Sequence, residues 1–428
     1  MDTRANRFLP IFLLLAGFGV SKATAAEPTW TQFRGADRAG IVPDAALPVQ
    51  WDAKKNIRWR TELPGEGWSS PVTDGKRIYL TAAIPSDKAA AGEDASNGSF
   101  DLSLLIIDAE TGELQTQQTL IHQTAEETQK IHAKNSHASP TTILDGDRLY
   151  SHFGFQGTVC TDLQGKTLWI NRDLSFKAIH GNGGSPVLVD NRLVFTCDGA
   201  SEPFVAALKT DTGELAWKCP RPVEAKKKFS FCTPAVIKVD SKQQIVAPGS
   251  NCVLGIDPAD GSILWQVDYD GYSVIPQPVY AGGILIVCTS YDKGGLLAID
   301  PRGRGNITET NVLWQLDKGA PKTPTPLMQS GLLYMINDAG VAYCLDAASG
   351  DRVWQKRIGG QYSASPLLAD GKIYFTSEAG ETTVIQASRD FQELARNDLG
   401  ERTLASLAPL DSSILLRTAK ALYRIETP

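Results

Sequence analysis

The sequence predicts an all-β fold, an eight-bladed β-propeller of four-stranded blades closed by an N-terminal strand. Three observations carry this. A Gly-x-x-x-Trp element recurs at Gly165/Trp169, Gly213/Trp217, Gly261/Trp265 and Gly350/Trp354, and Trp314 joins the series after a longer turn. Just upstream of the turn, alternating apolar runs end in Asp, at Asp108, Asp257, Asp300 and Asp346. A proline opens each unit, at positions 71, 140, 186, 234, 278, 326, 366 and 409, spaced 40 to 48 residues apart except for one interval of 69. Short alternating strands at that period mean propeller blades, because a lone four-stranded sheet cannot bury both of its faces.

Taken in chain order, the first 26 residues read as a secretory signal peptide. Arg4 and Arg7 precede an apolar run from Phe8 to Val20, and Ala23-Thr24-Ala25 supplies the small-residue cleavage pattern before Ala26. That run is shorter than the ~20 residues a membrane span needs, so no transmembrane segment is expected after cleavage. No cysteine stands at the cleavage site to take a lipid anchor. Residues 27–56 form an N-terminal extension, and residues 57–428 the propeller. The segment Asn56-Ile-Arg-Trp59-Arg-Thr-Glu-Leu63 looks like an orphan fourth strand with its own Trp. The last unit, from Thr403 to Ile425, supplies only three strands. Joining the two closes the ring and removes an open edge that would invite aggregation.

Inside each unit an Asp-Gly turn such as Asp370-Gly371, flanked by alternating runs, marks a hairpin. The recurrent Trp is expected to wedge between neighbouring blades. Two insertions break the period. Ser86 to Ser99 is small and polar, and Ile121 to His137 carries a short helix-like stretch. The first unit has Thr116 where the others have Trp.

The combination of Ser-Pro opening, apolar run ending in Asp, Thr-Gly turn and fourth-strand Trp resembles the tryptophan-docking repeat of quinoprotein alcohol dehydrogenases. It also resembles the noncatalytic propeller BamB of the outer-membrane assembly machinery. The likeness covers about residues 57 to 425. The pieces Trp30-x-Gln-Phe-Arg-Gly35, Asn135-Ser-x-Ala-Ser-Pro140, Gly271-Tyr-Ser-Val-Ile-Pro276 and Asn397-Asp-Leu-Gly-Glu-Arg-Thr-Leu404 look like a group of exported PQQ-like repeat proteins common in planctomycetes. A quinoprotein enzyme would bring a vicinal Cys-Cys pair, a calcium site of acidic and amide side chains, and an Asp base. The seven cysteines include no adjacent pair, and no C-x-x-C-H haem motif is present. No stretch reproduces the calcium or base motifs. The resemblance therefore implies a scaffold or binding module without a cofactor, and PQQ with calcium belongs only to the alternative, an alcohol- or sugar-oxidising quinoprotein.

Binding is expected where the loops entering the inner strands gather around one mouth of the central channel, since convergent polar groups on a concave surface are the default site. Those loops supply Trp68, His137, His180, Asn182, Lys228, Tyr272, Lys322, Tyr362 and Arg402. Lys228, Lys322 and Arg402 would meet around the axis, with Trp68, Tyr272 and Tyr362 as exposed stacking platforms. His132 and His137, five residues apart, could join His180 at a metal, but no carboxylate has matching spacing. Among the cysteines, Cys232–Cys252 is the best disulfide candidate, with buried free thiols the competing state. The 42 Lys and Arg against 48 Asp and Glu give a net charge of −6, or −8 without the leader, so the chain lacks an overall basic footprint for nucleic acid. The partner is read as a protein or cell-envelope polymer, the location as periplasmic or secreted, and the chain as a monomer.

Overall fold

The computed structural model describes residues 1, 30–86, 98–291 and 294–427. The leader reading of residues 1–26 and all but the ends of the Ser86–Ser99 insertion lie outside them. Within the described residues, eight sheets each contain a four-stranded antiparallel blade. From inner to outer strand, blade 1 runs from Val72–Thr73 to Leu114–Gln123, blade 2 from Ile143–Asp145 to Thr167–Asn171, and blade 3 from Val187–Val189 to Leu215–Pro220. Blade 4 runs from Ala235–Val239 to Ile263–Asp268, and blade 5 from Val279–Ala281 to Val312–Leu316. Blade 6 runs from Leu327–Gln329 to Arg352–Arg357, and blade 7 from Leu367–Ala369 to Glu393–Asp398. Blade 8 takes three strands from the C-terminal end, and Ile57–Glu62 pairs antiparallel with Ala421–Ile425 as its fourth. The predicted closure is therefore the one observed.

The Trp spacing follows from how one blade clasps the next. In each turn a carboxylate or backbone carbonyl organises five residues; Asp108 Oδ1 accepts from Glu110 and Thr111, and Gly112 N donates back to Asp108 O. Where the preceding blade carries a Trp at this position, the turn glycines Gly112, Gly213, Gly261 and Gly350 lie against its ring. At Gly213 the backbone has φ 74°, and a Cβ would stand 2.4 Å from the Trp169 ring. The indole nitrogen donates to a carbonyl of the same turn, Trp169 to Thr210, Trp217 to Pro258 and Trp314 to Ala347. Trp265 departs from the series. Its neighbour, blade 5, has the long turn, whose Gly305–Asn306 strand pairs parallel with Trp265 and Gln266 as a fifth strand of blade 4. With that strand in place of a short turn, Trp265 is fully buried and donates to Gln244 Oε1 at 2.7 Å.

The Ser/Thr that opens a blade also has a structural task. Its hydroxyl accepts the equivalent backbone N–H of the blade before, in the links Ser70 to Thr141, Thr141 to Ser185, Ser185 to Thr233, Gln277 to Thr325, Thr325 to Ser365 and Ser365 to Ser406. This ring shows that Thr141 and Ser406 hold the opening position in blades 2 and 8. The sequence register that placed Ser139-Pro140 and Ala408-Pro409 there is offset. In the second insertion, Ile121–Gln123 simply continue the outer strand of blade 1. The helix-like stretch is one turn, in which Thr124 and Glu127 cap each other's backbone N–H.

The N-terminal extension fills the hole in the ring. Trp30 bridges Thr73 of blade 1, Thr31 O accepts from Leu144 of blade 2, and Arg38 reaches Leu188 O of blade 3. Ile41–Val42 pairs parallel with Leu368 and Ala369 of blade 7. Arg34, 2% exposed, donates to Pro326 O and Pro366 O at the start of the inner strands of blades 6 and 7. A segment in contact with the inner strands of five blades must occupy the axis, so the channel is plugged. The extension then leaves past Trp51, stacked on Tyr374 of blade 7, to become the closing strand.

The seven cysteines are free and buried. The Cys232–Cys252 pairing does not form because the two side chains leave blade 4 on opposite sides. Cys252 packs with Trp217 and Cys219 toward blade 3, whereas Cys232 Sγ lies 3.1 Å from Pro276 O toward blade 5. Among the described residues no helix is long and apolar enough to cross a membrane.

Candidate binding site at the entry face

The loops that enter the inner strands make up the entry face of the ring. The connector between blades 1 and 2 crosses it. On one side Ile131 forms a bridge with His180 of the blade 3 entry, and His132 N and Asn135 Nδ2 both donate to His180 O. On the other side Lys134 Nζ pairs with Glu378 of blade 7 at 2.7 Å, and Arg402 of the blade 8 entry donates to Ala133 O. Blades 3 and 7 stand opposite each other in an eight-membered ring, so this connector straddles the mouth.

From the connector an arc of rings runs around the face. His132 meets His180 edge-on at 5.8 Å, His180 meets Phe229 at 5.4 Å, Phe229 meets Tyr272 at 5.6 Å, and Tyr272 meets Tyr291 at 6.1 Å. The first three contacts are edge-to-face and the last is tilted; such geometries suit the ring quadrupoles and hold the loops of blades 3, 4 and 5 as one surface. Cations sit on several of these faces. Lys227 Nζ is 3.9 Å from the Tyr272 centroid, Lys322 Nζ is 4.6 Å from that of Tyr291, and Arg402 lies over Trp68 at 5.4 Å. Partial burial and the neighbouring His132 both lower the pKa of His180.

The predicted residues divide accordingly. His180, Tyr272 and Lys322 belong to the arc, and Trp68 and Arg402 form a pair at the connector's far end. Asn182 packs against Gly154 of blade 2, where a Cβ would meet its side chain at 2.1 Å. His137 turns away from His180. It packs against the Phe100 ring at a tilt, with centroids 4.7 Å apart, and burial pushes its pKa down to about 4. Tyr362 is not a platform, being fully buried with Ile358, Leu327 and Phe375 in the core between blades 6 and 7. Nor do the three cations share a contact, because Lys228 pairs with Glu202, Lys322 covers Tyr291 and Arg402 covers Trp68. Sequence reasoning missed Lys227 and Tyr291. Tyr291 stands in a loop between second and third strands, which nothing in the repeat pattern marks.

Among the described residues no three His, Cys, Asp or Glu side chains gather as a metal site. The axis carries the Arg34 guanidinium, and the seven cysteines are free thiols.

The comparisons agree with the architecture. The chain is similar in structure to BamB from Moraxella catarrhalis, with 12% identity and a TM-score of 0.56, over 86% of this chain and 99% of that one. A europium-containing methanol dehydrogenase superposes with a TM-score of 0.65 at 11% identity, over 93% of this chain and 91% of that one. The quinohemoprotein alcohol dehydrogenase ADHIIG from Pseudomonas putida HK5 gives 0.60 at 12% identity, over 94% and 81%. At such identities these likenesses concern the fold alone. No curated protein matches the sequence. The family model described as outer membrane protein assembly factor BamB matches residues 101–321 and 306–390. With well over half of its length so matched, the chain belongs to that family of PQQ-like propellers.

Proposed function

We propose that the protein is an exported, noncatalytic binding module that engages a protein or envelope-polymer partner through its entry face. The observation that carries this reading is the arc from His132 to Tyr291, a continuous ring-and-cation surface contributed by loops of several blades. It stands over a plugged axis, so the surface available to a ligand is broad and shallow. That shape suits a segment of a macromolecule better than a small substrate. The test is affinity capture from the native envelope fraction with the wild type and a Phe229→Ala/Tyr272→Ala variant checked for folding by circular dichroism. The reading expects capture to be lost in the variant and kept after Lys372→Gln, on the opposite face. The alternative, a quinoprotein oxidoreductase, is tested by supplying PQQ and calcium with a panel of alcohols and sugars; sustained dye reduction would overturn the module.

A further inference from the structure

The arc begins in a cleft of about 750 Å3 between the connector and the blade 3 entry, lined by Gln129, Lys130, Ile131, His132, Ala133 and the stretch from Lys177 to His180. Its composition is selective. The walls are aliphatic, through Ile131, Ala133, Ala178 and Ile179, and the polar groups are an amide, two lysines and two imidazoles. No carboxylate lines it. Among the described residues neither Lys130 nor Lys177 pairs with an acid, although nearby Lys134, Lys228 and Arg172 all do. In a chain whose acids outnumber its bases, a cleft with cations only is set for an anion.

The choice of anion follows from the remaining chemistry. Ring faces on which a neutral sugar would stack already carry ammonium groups at Tyr272 and Tyr291. A polyphosphate or polyuronate would satisfy the lysines but leave the aliphatic walls unused. Resting on the binding-module reading, we infer that the cleft takes an acidic, apolar-spaced peptide segment of a partner protein. Its carboxylates meet Lys130 and Lys177, and its aliphatic side chains cover Ile131 and Ile179. Charge-assisted hydrogen bonds supply the pairing, and the aliphatic contact supplies salt-independent affinity.

The test uses the full mature chain and a fluorescein-labelled peptide of four Glu-Glu-Leu repeats. Companion probes are the Gln-Gln-Leu peptide and a polyuronate oligosaccharide of similar length. The acidic peptide should bind, more weakly at high salt, and Lys130→Gln/Lys177→Gln should weaken it about tenfold, while Lys372→Gln leaves it unchanged. Equal binding of the Gln-Gln-Leu peptide, tighter binding of the polyuronate, no binding of the acidic peptide, or an unchanged Kd in the double variant would each overturn the assignment. These outcomes leave the entry-face reading standing, because envelope capture by the Phe229→Ala/Tyr272→Ala variant tests that separately.

Discussion

Acid should unfold this propeller partly through one histidine. His152 ends the second strand of blade 2, is 1% exposed, and has its ring against Phe195 with centroids 4.2 Å apart. Nδ1 lies 2.9 Å from Thr158 Oγ1, and Nε2 has no hydrogen-bond partner. An imidazolium there would need a second acceptor that the blade interface lacks, so burial pushes the pKa down to about 3. The unfolded chain takes up the same proton near pH 6.5. Between those values the unfolded state binds a proton that the folded state refuses. The stabilisation is thus complete above about pH 6.5 and is lost progressively as the pH falls toward 3. One group gives about 1.4 kcal/mol per pH unit, hence about 2 kcal/mol lost by pH 5. Urea unfolding of the wild type and His152→Asn at pH 7.5, 6 and 5 isolates the effect, since the carboxylates common to both cancel in the difference. The variant should be the less stable protein at pH 7.5, and its deficit should shrink by about 2 kcal/mol at pH 5. A deficit that stays constant with pH would refute the reasoning.

Other perturbations probe the clasp and the closure. Asp198→Asn strips Arg221 of its carboxylate partner, both groups being essentially unexposed and joined by two bonds of 2.7 Å. The loss should be about 3–5 kcal/mol in urea unfolding, and a change below about 1 kcal/mol would mean the pair is solvated in solution. Gly213→Ala forces a β-carbon into the Trp169 ring at φ 74°. It should destabilise by about 1–3 kcal/mol and change the Trp fluorescence, whereas an unshifted melting curve would count against the docking geometry. Deleting residues 1–63 removes the fourth strand of blade 8 and should give aggregates on size exclusion; a monomer with unchanged melting would show that the closing strand is dispensable.

Where the sequence was legible, the reason is that one local rule repeats. A glycine under an indole and an Asp-anchored turn recur because each blade must clasp the next, so spacing alone reveals them. Trp265 has the same spacing but a different neighbour, and only the blade 5 turn decides its direction. The plug was illegible because the partners that tie Arg34 to the blades are backbone carbonyls some 290 and 330 residues away, which carry no side-chain signature. Tyr272 and Tyr362 occupy similar Tyr-Ser entries, yet the first joins an exposed arc and the second enters the core. The difference lies in their surroundings, Phe229 and Tyr291 on one side, Ile358 and Phe375 on the other. The convergence of Lys228, Lys322 and Arg402 failed for a related reason, as each long side chain found a local acid or ring before reaching the axis.

Site-specific photo-crosslinking in the native cell tests the entry-face account most directly. A benzophenone amino acid replaces Tyr291, 50% exposed at the end of the arc, or Leu168, 47% exposed on the outer strand of blade 2, or Arg302 on the opposite face. The account predicts a discrete adduct from position 291 and none from 168 or 302. An adduct from position 168 with none from 291 would move the binding surface to the outer strands and contradict it.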